Sequence, residues 1–292
     1  MNIIRNLPGP LLIFLGALSL SFGGLIVKSF EGATLWQILF WRSLFFSLTV
    51  LAFLIISYKK KTLIAFYESG LPGFIGGIIL SFGFCGYVFA MYNTSVANTN
   101  FIISLQILFL AIFGYIFLKE KINTITLSSI VLAMTGVLIM VGNSLTPGEL
   151  SGNLAAFTMP ITFAVLIMIV RKYPTVDMVP AQFIAGISSC LIGFLLSTKI
   201  MISPNDIFLG FLAGFFQVGF GFIFITIGAR TTPSAMVGII MLSESVLGPI
   251  WAFLFVSERP STFGLIGGGI ILLAVLLQFY TLLNKEKKTV SN

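Results

Sequence analysis

The sequence predicts an all-α integral membrane protein whose ten transmembrane helices form two inverted-topology repeats of five. Three observations predict it: an apolar composition with few charges, a lopsided placement of Lys and Arg, and a self-match at one fixed offset. Of 292 residues, 58% are hydrophobic and 9% are charged. A soluble domain carries about 25% charge. So few charges cannot clothe a water-facing surface, so the bilayer must solvate most of the chain.

Apolar runs of spanning length fall at 10–27, 34–57, 71–91, 97–118, 124–141, 152–170, 180–198, 207–229, 233–255 and 262–283. Each is near the ~20 residues that cross ~30 Å of hydrocarbon. The links are short, so no soluble domain fits between runs. Arg5 followed by an apolar stretch resembles a signal peptide. The stretch continues to Val27 without a convincing cleavage site and reads as an uncleaved first helix.

With the N-terminus inside, the inner segments hold Arg5, Lys59, Lys60, Lys61, Lys119, Lys121, Arg171, Lys172, Arg230, Lys285, Lys287 and Lys288. The outer loops hold Lys28, Lys199 and Arg259, and Arg42 stays within a span. Twelve against three is a strong positive-inside bias. It places both termini in the cytoplasm of a multi-pass cell-membrane protein, with the bacterial inner membrane the expected site. The net charge of +7 is thus a matter of topology, and no nucleic-acid partner is expected.

Shifting the chain by 138 residues aligns Gly76 with Gly214, Phe82-Gly83-Phe84 with Phe220-Gly221-Phe222, and Thr94 with Thr232. Ala97 meets Ala235, Phe117 meets Phe255, Glu120 meets Glu258, and Thr124 meets Thr262. One repeat occupies 1–145 and the second 146–292, the latter ending in a short basic tail. Five helices is an odd number, so the second repeat enters the membrane inverted. Inverted repeats are common in secondary transporters, with the site near the midplane between them.

Two helix junctions carry a further mark. Phe117-Leu118-Lys119-Glu120-Lys121 ends the fourth span and Phe255-Val256-Ser257-Glu258-Arg259 the ninth. A Gly- or Ser-containing apolar helix follows each, and Pro249 precedes the second junction. With these features the chain resembles the drug/metabolite transporter superfamily, specifically its EamA-type ten-helix members, over nearly its whole length. The resemblance implies transport of amino acids, related metabolites or drugs, often as export.

Charges inside a span are expensive and mark function by default. Two lie well inside: Glu244 and Arg42. Glu244 is central in the ninth span, and the repeat aligns it with Gln106 in the fourth. A polar residue at the equivalent position of both repeats points to a shared central cavity. Glu244 is read as binding a substrate amine or carrying a coupling proton, against a structural role as a partner of Arg42 or of backbone groups. Arg42 could hold a carboxylate with both arms of its guanidinium. The second helix of each repeat looks peripheral in the family, so a structural role for Arg42 is favoured.

Ser81, Tyr87, Asn100, Gln217 and Ser243 complete the candidate substrate site near mid-depth, with Trp251 or Tyr87 available to stack on an aromatic or cationic group. With 31 Phe in the chain, packing is the ordinary fate of an aromatic here. Glu120 and Glu258 read as structural hinges, each preceding a helix whose free N–H groups it can satisfy. Pro160 and Pro249 read as bends that suit rocking motion.

The chemistry excluded is equally definite. The chain has no His, and its two cysteines lie in apolar runs as small core residues. No phosphate-binding Gly-x-x-x-x-Gly-Lys-Ser/Thr loop is present. No metal or cofactor is expected, and no enzymatic activity. The expected function is secondary transport, in the export direction, of a small metabolite such as an amino acid or amine by alternating access. The expected partners are that substrate and the bilayer, with the chain acting as a monomer. The alternatives are a non-transporting membrane sensor or partner protein and, further off, an intramembrane enzyme.

Overall fold

A computed structural model describes residues 7–120, 124–141, 150–257 and scattered positions between 262 and 277. Every regular element among them is helical. Seven helical runs are long and apolar enough to cross a membrane. One of these, Leu35–Asn93, has 59 residues, far more than one crossing uses. It turns back at Lys59–Lys61, where Lys59 has φ 51°, and so supplies the second span (Leu35–Tyr58) and the third (within Thr62–Asn93). Thr124–Val141 is the fifth span. The described positions from 262 to 277 are helical where the tenth is expected.

The first span comprises Gly9–Ser21 and Gly23–Lys28, the fourth Val96–Ser104 and Gln106–Leu118, and the sixth Leu150–Ala156 and Thr158–Lys172. The seventh is Val179–Leu196 and the ninth Ser234–Val256. The eighth runs from Pro204 to Ala229 and is π-helical over Leu212–Phe220. The expected boundaries hold to within a few residues except in the third span. There the helix starts nine residues before residue 71, with Leu63 and Tyr67 widely exposed. Gly70, at φ 53°, breaks this exposed piece from the membrane-depth helix.

The packing is an internally matched network. The second span packs on the seventh and the fourth on the ninth. The third packs on the seventh as the eighth does on the second; the first packs on the eighth as the sixth does on the third. The first also packs on the ninth, and the sixth on the fourth. Exchanging each helix with its counterpart five helices away leaves these pairings unchanged. Phe84 and Phe222, 138 residues apart, touch edge to face with ring centroids 5.0 Å apart. Equivalent residues in direct contact lie at the axis that relates the two halves. Phe46 and Phe163 pack edge-on around this pair, and all four rings are fully buried. The opposite surfaces, with Leu48, Ile56, Phe74, Leu195 and Leu254 exposed, are apolar as a lipid-facing surface must be.

Candidate functional site

Arg42 leaves the second span and turns inward. Its backbone is pressed against the eighth span, where a Cβ on Gly214 would strike the Arg42 carbonyl oxygen and would lie 2.6 Å from Phe46 N. Only glycine permits that approach. The side chain then extends over the third span, with its guanidinium carbon 4.9 Å from the Tyr87 ring centre and 5.4 Å from that of Phe84. Arg42 is 3% exposed, and its Nε has no hydrogen-bond partner.

Glu244 comes from the middle of the ninth span and is 5% exposed. It lies within Coulombic reach of both Arg42 and Tyr87. No ion pair joins it to Arg42 among the described residues. Two opposite charges therefore share one interior without direct contact. Taking each ion out of water costs several kcal/mol, and only direct pairing with good geometry recovers most of that. A purely structural pair would be closed.

Gln217, from the π-helical stretch, completes the wall. Its Nε2 donates to the Leu20 carbonyl at 3.3 Å, while its buried Oε1 has no partner. A Cβ on Gly23 would strike the Tyr87 hydroxyl and lie 2.7 Å from Gln217 Nε2. The break between Ser21 and Gly23 thus admits two polar tips that an unbroken, side-chain-bearing helix would displace. Gln106 begins the second half of the fourth span, immediately after its break at Leu105, and its Nε2 is buried without a partner. Orphaned buried polar atoms are rare in native interiors and call for an explanation. Here Arg42, Gln106 and Gln217 each carry one.

At the outer half, Asn100 abuts Gly248, whose Cβ would strike Asn100 Nδ2. Trp251 Nε1 donates to Ser21 Oγ at 2.9 Å, and its ring stacks on Phe22 at 4.9 Å and 8°.

Family comparison adds what geometry cannot. Two stretches, 7–142 and 146–280, match the model of the EamA-like transporter family. The chain belongs to the EamA-like transporter family. A relative from Methanothermobacter thermautotrophicus, described as an uncharacterized transporter, is 26% identical over 206 residues. That match covers 64% of this chain and 58% of the relative's length. A solved crystal structure superposes with a TM-score of 0.76 over 95% of this chain and 98% of its own, at 18% identity, which shows the fold alone.

Within this EamA-like chain the remaining candidate residues divide. Ser81 and Ser243 are buried, but their hydroxyls donate to the carbonyls of Ile78 and Ile240 in their own helices, at 2.7 Å each. Trp251 is engaged by Phe22 and Ser21. Pro160 lies three residues past the break at Phe157, in the first turn of Thr158–Lys172, and Pro249 sits inside an unbroken helix. Glu258 lies outside the described residues.

Glu120 joins helices other than those its sequence position suggests. Its Oε1 accepts from Arg171 Nη2 at 2.8 Å and Nε at 3.1 Å, and its Oε2 accepts from Ser234 N at 2.9 Å. It therefore caps the ninth span and ties the fourth to the sixth. Arg171 Nη1 also donates to the Arg230 carbonyl at 3.1 Å, at the end of the eighth span. At the opposite face, Lys28 Nζ donates to the Thr94 carbonyl at 2.9 Å, joining the ends of the first and third spans. The two ties link equivalent helix ends of the two repeats.

Sequence reasoning missed the first span's part in the site, together with Phe84 and Arg171. Gly23-Gly24 inside an apolar run was the signal for the first. Arg171 and Phe84 carry no local signal, because their roles depend on which helices meet.

Proposed function

We propose that this chain is a secondary transporter that exports a small metabolite such as an amino acid or amine, by alternating access of a midplane site to the two faces. One observation carries the reading: Arg42 and Glu244 are buried in one cluster, within each other's field, and unpaired. A substrate bearing an ammonium finds its counter-charge in Glu244, and one bearing a carboxylate finds it in Arg42. A binding interior that neutralises its charges only when loaded couples occupancy to rearrangement. Family membership supports transport over chemistry. The ties at opposite faces, Lys28 to Thr94 and Arg171 to Arg230 and Glu120, support two closures that open in alternation. On this reading residues 1–145 and 146–292 are the two rocking halves, and both termini are in the cytoplasm of a bacterial inner-membrane protein.

The test is flux. Purified full-length chain in liposomes is loaded with a panel of radiolabelled neutral amino acids, amines and organic phosphates. Saturable movement of an amino acid or amine is expected. Absence of protein-dependent flux across the panel would overturn the reading.

A further inference from the structure

A second site lies away from the charged centre. A groove of about 330 Å³ opens between the fourth and sixth spans at the end that the lysine distribution places inside. Phe113, Phe117 and Leu118 form one wall, Val165 and Met168 the other, and Lys172 stands at the mouth. The walls are otherwise apolar, as an acyl chain requires, and the groove lies at the lipid-facing surface of the bundle, with Phe117 widely exposed.

The mouth has a definite charge. Lys172 is exposed, its ammonium 5.9 Å from the Tyr173 ring centre, and no ion pair holds it among the described residues. Lys119 follows Leu118 directly on the opposite wall and is likewise exposed and without an ion pair. The nearby carboxylate, Glu120, is occupied by Arg171 and the Ser234 N–H. Two cations thus remain, one from each wall, at the end of an apolar slot. Basic pockets between transmembrane helices at the cytoplasmic side suit anionic lipid headgroups.

We propose that an anionic phospholipid binds here, with an acyl chain in the groove between the fourth and sixth spans and its phosphate held between Lys119 and Lys172. The groove walls are the two helices that the Glu120–Arg171 pair joins, so a bound lipid braces that tie from the membrane side. This site is independent of what the central cluster carries and stands or falls separately from transport.

The experiment is a binding titration of the purified full-length chain in neutral detergent by native mass spectrometry. The probes are phosphatidylglycerol, phosphatidylcholine with the same chains, and chain-free glycerol phosphate. Saturable binding of phosphatidylglycerol is expected, with the other two at least tenfold weaker. A basic residue near the surface contributes about 1 kcal/mol, about fivefold in affinity, so Lys119→Gln with Lys172→Gln should weaken binding about 25-fold. Met168→Trp, which fills the slot and leaves both lysines, should also weaken it, with an unliganded melting temperature unchanged in the lysine variant. Equal binding of phosphatidylcholine, unchanged affinity in either variant, or glycerol phosphate matching the lipid would each overturn the proposal.

Discussion

Replacing each of two repeat-equivalent glycines by alanine should give opposite outcomes. Gly76 and Gly214 stand 138 residues apart at equivalent places in the third and eighth spans. A Cβ on Gly76 would lie 3.0 Å from Ile169 Cδ1 and 3.7 Å from Leu166 Cδ1, both ends of flexible side chains. A Cβ on Gly214 would strike the Arg42 carbonyl oxygen and sit 2.6 Å from both Phe46 N and Phe45 Cβ. Backbone cannot rotate away, so the second and eighth spans must part. Overpacking of this kind costs about 1–3 kcal/mol, with backbone contacts at the upper end. Alanine returns at most about 1 kcal/mol through helix propensity. Gly214→Ala should therefore lose about 2 kcal/mol, roughly 4–8 °C in melting temperature for a chain of this size class. Gly76→Ala should stay within about 1 kcal/mol of the parent. Because the displaced atom is the Arg42 carbonyl, Gly214→Ala should also weaken substrate binding beyond any loss of folded protein. Thermal unfolding in detergent reads the first effect and ligand titration the second. Equal melting temperatures for the two variants would refute the packing argument.

Two further outcomes follow from named contacts. Glu120 and Arg171 are 18% and 21% exposed, and the pair is forked on one oxygen, so a double-mutant cycle of Glu120→Ala and Arg171→Ala should give a coupling of about 1–2 kcal/mol; a value near zero would mean the tie is ornamental. Trp251→Phe keeps the stack on Phe22 but loses the bond to Ser21, which should cost about 1 kcal/mol. Phe22→Ala should cost about 0.5–1.5 kcal/mol beyond its lost area, and thermal unfolding of the two variants separates the terms.

Much of the fold was legible because hydropathy is a one-dimensional signal. A run such as 124–141 has no alternative to a helix in lipid, and the helix appears at Thr124–Val141. The pairing of Gln106 with Glu244 was legible through the offset, and both are buried. The breaks at Phe22, Leu105 and Phe157 were not. No proline or charge sits at them, and tertiary packing decides where a helix yields. Pro249 is the converse, a proline in a helix that continues through it. Arg42 was expected to serve structure at the periphery of the bundle. It instead lies buried over Tyr87 and Phe84, because Gly214 lets the second span approach the eighth and turns that side chain inward. Glu120 was correctly expected to satisfy helix N–H groups, but those of the ninth span rather than the next helix in sequence. Contacts between distant helices are a property of the assembled bundle, and no local spacing encodes them.

The central claim is that the unpaired interior charges are what the substrate meets. Its most direct test is substrate binding to Glu244→Gln and Arg42→Gln beside the parent, using the amino acid or amine that the flux panel identifies. Glutamine keeps the volume and hydrogen-bonding capacity of Glu244 while removing its charge. The account expects Glu244→Gln to lose at least tenfold in affinity for any substrate bearing an ammonium, with the protein still folded. It expects Arg42→Gln to discriminate between substrates, weakening those with a carboxylate and sparing simple amines. Unchanged affinity in Glu244→Gln would contradict it.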